Sequence, residues 1–312
     1  MRSRLIAAMV AAAALATLAL CAAAPAAAIA RCAGIRASIA GTSGPDQLRG
    51  TPGNDVIAAG GGADVVRGRG GHDVICGDAG ADRIYGGPDR DGIIGGAGSD
   101  RLYGLGDADR IWGDGEALGS ITVEPGRDHL FGGAGDDLLI GDSFSDHGAV
   151  SGGADDVIAG EAGNDEITGD NHSNSGVARG GGDDVLLQGA GGGPMFGDNV
   201  TTTGAAQGGG DDVLEGGPGP NVNYLVGDNQ ANSGGLASGG GADRLTGGPQ
   251  TDHLYGDDVI GTRSGSEGGG NDSLYGLAGS DFLYGGPADD LCDGGPDGDH
   301  TPHECETLAG YP

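Results

Sequence analysis

Residues 50–87 read GTPGNDVIAAGGGADVVRGRGGHDVICGDAGADRIYGG, and this stretch decides how the chain folds. An aspartate recurs in it at every ninth position, and an aliphatic side chain follows two residues after each aspartate. The register extends on both sides of the stretch, through Asp46, Asp55, Asp64, Asp73, Asp82, Asp91, Asp100 and Asp109. Nine residues are too few for a helix with its turns, and a helical stripe needs apolar residues three and four apart. The period therefore predicts one short strand and one tight turn per repeat, stacked into a β-solenoid.

The amino-acid composition predicts order or disorder only when it is considered together with this period. The 312 residues include 73 glycines and 13 prolines, and only 4% of the chain is aromatic. Without a period, so much glycine and proline indicates disorder. With the period, glycine supplies the positive φ angles of the turns, and the aliphatic residue of each repeat can point inward. We therefore expect an ordered all-β fold.

The charge balance excludes several classes of function. The chain has 46 acidic residues against 15 basic ones, a net charge of −31, and no lysine. Nucleic acid and anionic membrane are improbable partners because both require cationic patches. Without lysine there is no Walker-type phosphate loop and no lysine Schiff base. The sequence also lacks a GxSxG serine and an HExxH pair, which disfavours a hydrolase.

The regular aspartates point to a metal. A solvated acidic face explains scattered aspartates, but stacking places the aspartates of adjacent layers in columns, where like charges destabilise one another. Arginine is too scarce to neutralise them, whereas Ca²⁺ accepts about 6–8 carboxylate and carbonyl oxygens in a flexible geometry. We therefore predict several bound calcium ions. The predicted ligands are Asp46, Asp55, Asp64, Asp73, Asp82, Asp91, Asp100, Asp109, Asp128, Asp137, Asp156, Asp165, Asp184, Asp212, Asp243, Asp252, Asp272 and Asp281.

Three segments carry a resemblance to a known family. They are GGAGSDRLY at 95–103, GGAGDDLLI at 132–140 and GEAGNDEIT at 160–168. Each resembles the GGxGxDxUx nonapeptide of the RTX, or haemolysin-type, calcium-binding repeat family. Nonapeptides of this kind cover about residues 41–291. The resemblance implies a parallel β-roll with two nonapeptides per coil, and calcium held in the turns by backbone oxygens and by the sixth-position aspartate.

A longer period begins after Asp109. The aspartate spacing alternates between 19 and 9, so the repeat lengthens to the sum of these two steps. Each long repeat opens with a Gly-Asp pair, and the six aspartates of these pairs are Asp114, Asp142, Asp170, Asp198, Asp228 and Asp257. A polar insertion follows each pair, such as NHSNSGVARG at 171–180. Because the insertions carry no periodic apolar residue to bury, we expect loops that leave one edge and stack into a comb, rather than alternating between edges. We hypothesise that the six aspartates form an additional acidic column.

The chain divides into five predicted parts. Residues 1–30 have the charged head, apolar run and small-residue end of a secretory signal peptide, which predicts an extracellular protein. An N-terminal cap at 31–40 precedes the regular roll at 41–112, and the roll with long repeats follows at 113–291. Residues 292–312 form a C-terminal cap. No later segment resembles a membrane span.

Four cysteines remain after the signal peptide, which in an exported protein predicts two disulfides with three possible connectivities. Cys76 follows the aliphatic position of an early turn, and Cys32 lies just before the first turn. Cys292 occupies an aliphatic position, and Cys305 lies beyond the last turn. We favour Cys32–Cys76 and Cys292–Cys305, which would hold the two caps; the first pairing also resembles secreted actinobacterial members of the family.

These observations predict a secreted, non-catalytic calcium-binding protein whose folding requires Ca²⁺. One alternative is a calcium-stabilised adhesion or matrix protein that binds a partner through its loop comb. A glycine-rich disordered chain is the expected metal-free state of the same protein. A hydrolase is the least favoured alternative.

Overall fold

The computed structural model describes residues 30–117, 121–122, 124–232, 235–260, 263–264, 269–297, 299–300 and 304–309. Over these ranges the chain consists of strands and turns. No helix in them is long and apolar enough to cross a membrane. The strands build long parallel sheets that run the length of the molecule, which confirms the predicted parallel β-roll.

The first sheet contains twelve strands within the described residues, all parallel to their neighbours. In spatial order they are Gln47–Arg49, Val65–Arg67, Arg83–Gly87, Arg101–Gly106, His129–Ala134, Val157–Ala162, Val185–Leu187, Val213–Glu215, Arg244–Thr246, Ser273–Tyr275, Leu291–Asp293 and Thr307–Ala309. The second sheet contains eleven described strands, also parallel. They are Ile39–Ala40, Val56–Ala58, Val74–Ala79, Gly92–Ala97, Arg110–Trp112, Leu138–Ile140, Glu166–Thr168, Pro194–Phe196, Tyr224–Val226, His253–Tyr255 and Phe282–Tyr284.

The core runs between these two sheets and follows from the period. Side chains alternate along a strand, so in Val65–Arg67 only the middle residue, Val66, points inward and is buried. One such residue per nonapeptide joins a single continuous cluster. Its members are Ile57, Ala59, Val66, Ile75, Ile84, Ile93, Leu102, Ile111, Leu130, Leu139, Ile158, Ile167, Leu186, Met195, Leu214, Leu225, Leu245, Leu254, Leu274, Leu283 and Cys292.

We use the word coil for one turn of the solenoid. An early coil consists of two nonapeptides, since Ile84 pairs with Leu102, and we call such turns short coils. The next step is longer because an insertion lies between Leu102 and its partner Leu130. We call the longer turns wide coils, and they continue until the step from Leu274 to Cys292 is again a short coil.

The extra residues of the wide coils form a third sheet. Its described strands are Gly115–Ala117, Ile121–Thr122, Ser143–Ser145, Val150–Ser151, His172–Arg179, Val200–Gln207, Gln230–Ala231, Leu236–Ser238, Val259–Ile260 and Arg263–Ser264. Successive segments pair with one another, so they leave the same edge of the roll, as the comb prediction requires. The expectation that they bury no apolar residue does not hold. Val150, Ala178, Ala206 and Ala237 recur once per coil and are buried.

The third sheet also adds apolar packing on the outside of the second sheet. Phe196 and Val226, on the second sheet, pack with Val200 of the third. Tyr255 and Val259 continue the same cluster in the following coil. The wide coils therefore have a second apolar cluster on this face, where the short coils instead pack Ala58, Cys76 and Ile94 with Cys32 of the N-terminal segment.

Both ends of the roll are tied by disulfides. A hairpin of Arg31–Cys32 and Ile35–Arg36 lies beside the second sheet, and Cys32 is bonded to Cys76 there. At the other end Cys292 is bonded to Cys305, and the strand Thr307–Ala309 pairs with Leu291–Asp293. The structure thus contains the two favoured pairings.

Candidate metal centre

The aspartates that precede the strands of the first sheet form one row. In each coil the Oδ1 atom accepts a hydrogen bond from the backbone N–H of the row member one coil earlier, as Asp82 does from Asp64 at 2.7 Å. The same contact spans the wide coils, where Asp156 Oδ1 accepts from Asp128 at 2.7 Å. This first row consists of Asp46, Asp64, Asp82, Asp100, Asp128, Asp156, Asp184, Asp212, Asp243, Asp272 and Asp290.

The aspartates before the second sheet form a second row with an interruption. Its aspartates are Asp55, Asp73, Asp91, Asp109, Asp137, Asp165, Asp252, Asp281 and Asp299. Between Asp165 and Asp252 the equivalent positions are held by Gly193 and Asn223. Asn223 compensates locally, because its Nδ2 donates to Asp252 Oδ1 at 2.9 Å. The rows therefore include all eighteen predicted ligands.

The Oδ2 atoms distinguish the members of the two rows. Three of them accept hydrogen bonds from the protein: Asp46 and Asp55 from the backbone N–H of Thr42 and Thr51, and Asp252 from that of Gly248. The remaining predicted ligands each bury an Oδ2 atom that has no hydrogen-bond partner in the described structure. They are Asp64, Asp73, Asp82, Asp91, Asp100, Asp109, Asp128, Asp137, Asp156, Asp165, Asp184, Asp212, Asp243, Asp272 and Asp281.

Sequence reasoning missed two further row members. Asp290 and Asp299 also bury an unpartnered Oδ2 atom. Each follows the preceding aspartate of the pattern at the usual spacing of nine, so the period itself was the signal that could have identified them.

A glycine makes room for most of these carboxylates, and an exception is Asp64, where the buried Ala59 takes that position. In the short coils the glycine lies five positions earlier in the chain: a Cβ on Gly77 would lie 2.4 Å from Asp82 Oδ2 and 2.4 Å from the carbonyl oxygen of Gly95. For the first-row aspartates of the wide coils the glycine of the Gly-Asp pair takes this place, and a Cβ on Gly141 would lie 2.2 Å from Asp156 Oδ2. The extra residues are therefore inserted between the turn glycine and its aspartate.

Burial makes these carboxylates hard to ionise. Desolvation raises the pKa of Asp82 to about 6 and that of Asp100 to about 7, and neighbouring row members contribute in the same direction. Further along the first row, desolvation raises the pKa of Asp128 to about 9, and among its charged neighbours the carboxylate of Asp100 contributes most to this increase. In neutral solution the metal-free rows must hold protons, lose their order or attract cations.

The six aspartates of the Gly-Asp pairs form a third row. Successive members are held in register by backbone hydrogen bonds, such as Asp142 N–H to the Asp170 carbonyl at 3.0 Å and Asp170 N–H to the Asp198 carbonyl at 3.2 Å. All six side chains are at most 3% exposed. The hypothesised additional column therefore has the regular arrangement that it requires.

The carboxylates meet along rows rather than around single points. Among the described residues, no group of three or more His, Cys, Asp or Glu side chains is placed to hold a metal ion. What the rows do offer is a series of hard oxygen atoms, buried and without hydrogen-bond donors. Such oxygens fit a hard divalent cation whose remaining ligands are backbone carbonyls.

Acid should stabilise the metal-free fold. An aspartate in the unfolded chain has a pKa near 3.9, whereas desolvation in the fold raises that of Asp100 to about 7 and that of Asp109 to about 8. Because the folded state holds these protons more tightly, its stability in EDTA is present at low pH and is lost as the pH rises through the folded values. We expect more β-structure by circular dichroism in EDTA at pH 5 than at pH 8.

The matched control is the same pair of measurements in saturating calcium. Bound metal takes the place of the protons there, so the β-content at pH 5 should not exceed that at pH 8. Equal or lower β-content at pH 5 in EDTA would show that the raised pKa values do not govern the metal-free fold. Light scattering checks that the acid sample has not associated near the isoelectric point.

A comparison with protein families gives the same answer as the geometry. The family model described as RTX calcium-binding nonapeptide repeat, in four copies, matches residues 40–75, 68–102, 85–117, 120–147, 150–186, 208–222, 236–260 and 268–300. A search of curated proteins found no match. Because the repeat matches cover well over half of the sequence and the structure is a parallel roll of these repeats, the chain belongs to the RTX calcium-binding nonapeptide repeat family.

Proposed function

We propose that this chain is an exported, non-catalytic protein that binds several calcium ions in its two aspartate rows and folds when it binds them. The observation that carries the proposal is the series of buried Oδ2 atoms without a hydrogen-bond donor. An uncompensated buried carboxylate is costly, and a bound cation removes that cost. The proposed ligands are the row members with an unpartnered Oδ2 atom; Asp46, Asp55 and Asp252 contribute less, because protein N–H groups already occupy theirs.

Calcium is the favoured ion for chemical reasons. The available donors are carboxylate and backbone carbonyl oxygens, and the turns are built around glycine. Ca²⁺ tolerates irregular coordination by about 6–8 oxygens, whereas Mg²⁺ demands near-octahedral geometry and keeps its waters. The family match supports the same ion.

An extracellular location is the second part of the proposal. The two disulfides suit an oxidising compartment. The predicted signal peptide lies outside the described residues, except for Ala30. Calcium affinities of extracellular modules are about 10⁻⁴–10⁻³ M, which would keep the chain metal-free before export. The alternative role in adhesion through the comb stays a prediction.

One pair of variants tests the assignment of the rows. Asp137 is buried in the second row with an unpartnered Oδ2 atom, and its neighbour Asp136 is exposed. We expect Asp137→Ala to raise the calcium concentration at the folding midpoint about tenfold, the equivalent of about 1.4 kcal/mol. Asp136→Ala removes the same charge from the surface and should leave the midpoint nearly unchanged. Calcium titrations followed by circular dichroism measure both.

The two variants also define the contradicting result. If Asp137→Ala and Asp136→Ala shift the calcium midpoint equally, the rows act only through net charge and the assignment of ligands is wrong. If neither protein binds calcium, as judged by isothermal titration calorimetry, the proposed function itself is wrong.

A further inference from the structure

The three central Gly-Asp pairs bury aspartates that nothing in the nonapeptide pattern accounts for. Asp142, Asp170 and Asp198 are at most 1% exposed, and neither carboxylate oxygen of any of them has a hydrogen-bond donor in the described part of the chain. The outer members of this third row differ, because each has a backbone N–H donor. The pairs are Asp114 with Gly126, Asp228 with Gly241 and Asp257 with Gly270.

A second observation comes from the first row. The unpartnered Oδ2 atom of Asp184 lies 2.0 Å from the point where a Cβ on Gly169 would be, and the carbonyl oxygen of Gly197 lies 1.9 Å from that point. Gly169 is the residue directly before Asp170. A first-row carboxylate oxygen and a backbone carbonyl oxygen therefore both lie close to Gly169, directly before Asp170 in the chain.

The same arrangement recurs in the coils on either side. A Cβ on Gly141, before Asp142, would lie 2.2 Å from Asp156 Oδ2 and 1.8 Å from the Gly169 carbonyl oxygen. A Cβ on Gly197, before Asp198, would lie 2.0 Å from Asp212 Oδ2 and 1.7 Å from the Gly227 carbonyl oxygen. Three consecutive wide coils therefore repeat one constellation of oxygens.

The asparagines that directly follow some of the third-row aspartates form a ladder in which each side chain hydrogen-bonds to the next. Asn171 follows Asp170, and its Nδ2 donates to Asn199 Oδ1 at 3.3 Å. Asn199 in turn donates to Asn229 Oδ1 at 3.0 Å. Amides can stack in this way because each has both a donor and an acceptor, whereas ionised carboxylates have acceptors only. When ionised, the aspartate row beside this ladder therefore needs either protons shared between neighbouring carboxylates or a bound cation.

Electrostatics point in the same direction. Desolvation raises the pKa of Asp170 well above its usual range, and the carboxylates of Asp184 and Asp198 add to the effect. The charged neighbours with the largest effect on Asp170 are therefore aspartates of the first and third rows.

We propose that the wide coils hold an additional set of calcium sites, between the third-row aspartates Asp142, Asp170 and Asp198 and the first-row aspartates Asp156, Asp184 and Asp212. The inference rests on the proposed function, because it takes the first row to bind calcium. The insertion displaces the backbone that follows the turn glycine in a short coil. The Gly-Asp aspartate, as the first inserted residue, brings carboxylate oxygens to the opened turn, and these suit a hard divalent cation.

The test compares two triple variants of the full chain. The variant Asp142→Asn, Asp170→Asn and Asp198→Asn keeps the shape of the third row, and stacked amides are compatible with folding because the adjacent asparagine ladder already exists. The control variant carries Asp155→Asn, Asp183→Asn and Asp211→Asn, which removes three charges from less buried positions of the same coils. The readout is the number of calcium ions bound per folded chain at saturation, by equilibrium dialysis at pH 7.5 with calcium itself as the probe.

We expect the third-row variant to bind fewer calcium ions than the wild type, by at least one per chain, and the control to bind the wild-type number. An unchanged number in a folded third-row variant overturns the inference and leaves shared protons as the explanation of the row. Should the triple variant not fold, the number of calcium ions bound by the single variant Asp170→Asn is compared with the wild-type number in the same way. If the wild type binds calcium and the variant binds equally, only this inference fails; if the wild type binds none, the proposed function fails first.

Discussion

Chelation with EDTA at pH 8 should abolish most of the β-structure of this chain, and adding millimolar calcium should restore it. Without the metal, most row members bury an Oδ2 atom that has no hydrogen-bond donor, and desolvation raises the pKa of Asp128 to about 9 and that of Asp91 to about 7. Ionising them inside the roll is more costly than exposing them by unfolding. Each coil contributes one aliphatic residue per nonapeptide to the main core, which is a small compensating gain. Far-UV circular dichroism and size-exclusion chromatography measure the transition.

Two controls separate calcium binding from general screening of charge. Sodium chloride at the ionic strength of the calcium solution screens exposed charges but provides no divalent ligand, so it should not restore the fold. Magnesium at equal concentration should restore it less completely than calcium, because it gives up its waters reluctantly. A chain that stays fully ordered in EDTA at pH 8 and releases no heat on addition of calcium would contradict the coupling of folding to metal binding.

The second large effect is expected from a single methyl group at a turn. Gly163 has φ +149°, and a Cβ added to it would lie 1.5 Å from the carbonyl oxygen of Gly135 in the preceding coil. The substitution Gly163→Ala combines backbone strain with a clash between two coils, so we expect the free energy of unfolding to fall by about 2–6 kcal/mol. Urea unfolding in saturating calcium, followed by circular dichroism, measures this loss.

Gly53 provides a matched control for Gly163. Both glycines lie two residues before a second-row aspartate, Asp55 and Asp165 respectively. Gly53 lies in the early part of the stack, where the nearest atom to an added Cβ is Thr51 Oγ1 at 3.9 Å, an ordinary contact. Gly53→Ala should therefore change the free energy of unfolding by less than about 1 kcal/mol. Equal effects of the two substitutions would mean that close approach of the coils does not explain why glycine recurs at this place in the turn.

The sequence was sufficient for the architecture because the period repeats the same local information many times. The spacing of nine predicts which residues face inward, and Ile75, Leu130 and Leu214 are all fully buried as that register requires. The break after Asp109 likewise predicts a longer repeat, and the pairing of Leu102 with Leu130 has that length. Register in a roll is set by one inward residue per strand, so a short pattern determines the long-range pairing.

The third sheet could not be predicted in the same way. Its buried residues are small or isolated, such as Ala178 and Ala206, and they recur only once per wide coil among many polar neighbours. Val200 is buried because Phe196 and Val226 of the second sheet lie beneath it, which depends on how far the segment folds back. The inserted segments therefore show no apolar period typical of a helix or a strand, and their polar composition alone indicated loops.

The hydrogen bonding of individual carboxylate oxygens also could not be predicted from the spacing of the aspartates. Asp243 and Asp252 occupy equivalent places in the pattern, yet Asp252 accepts hydrogen bonds from Asn223 and Gly248 while Asp243 buries an unpartnered Oδ2 atom. The Oδ2 atom of Asp252 accepts from Gly248, four residues earlier, whereas Asn223, one coil away, adds a second donor to its Oδ1 atom. The contacts to Oδ1 join residues of different coils, which lie far apart in the chain, and no local motif describes them.

The strand Thr307–Ala309 affects whether further chains can add to the end of the first sheet. A parallel roll ends in open sheet edges, and an open edge is a template on which further chains can add without limit, as in amyloid. Here Thr307–Ala309 covers the last strand of the first sheet, the Cys292–Cys305 bond holds that tail in place, and His300 donates its backbone N–H to Asp281 beside the second sheet. The terminal edge of the first sheet is therefore a strand of only three residues that is fixed by a disulfide, and short edge strands are poor templates for the addition of further chains.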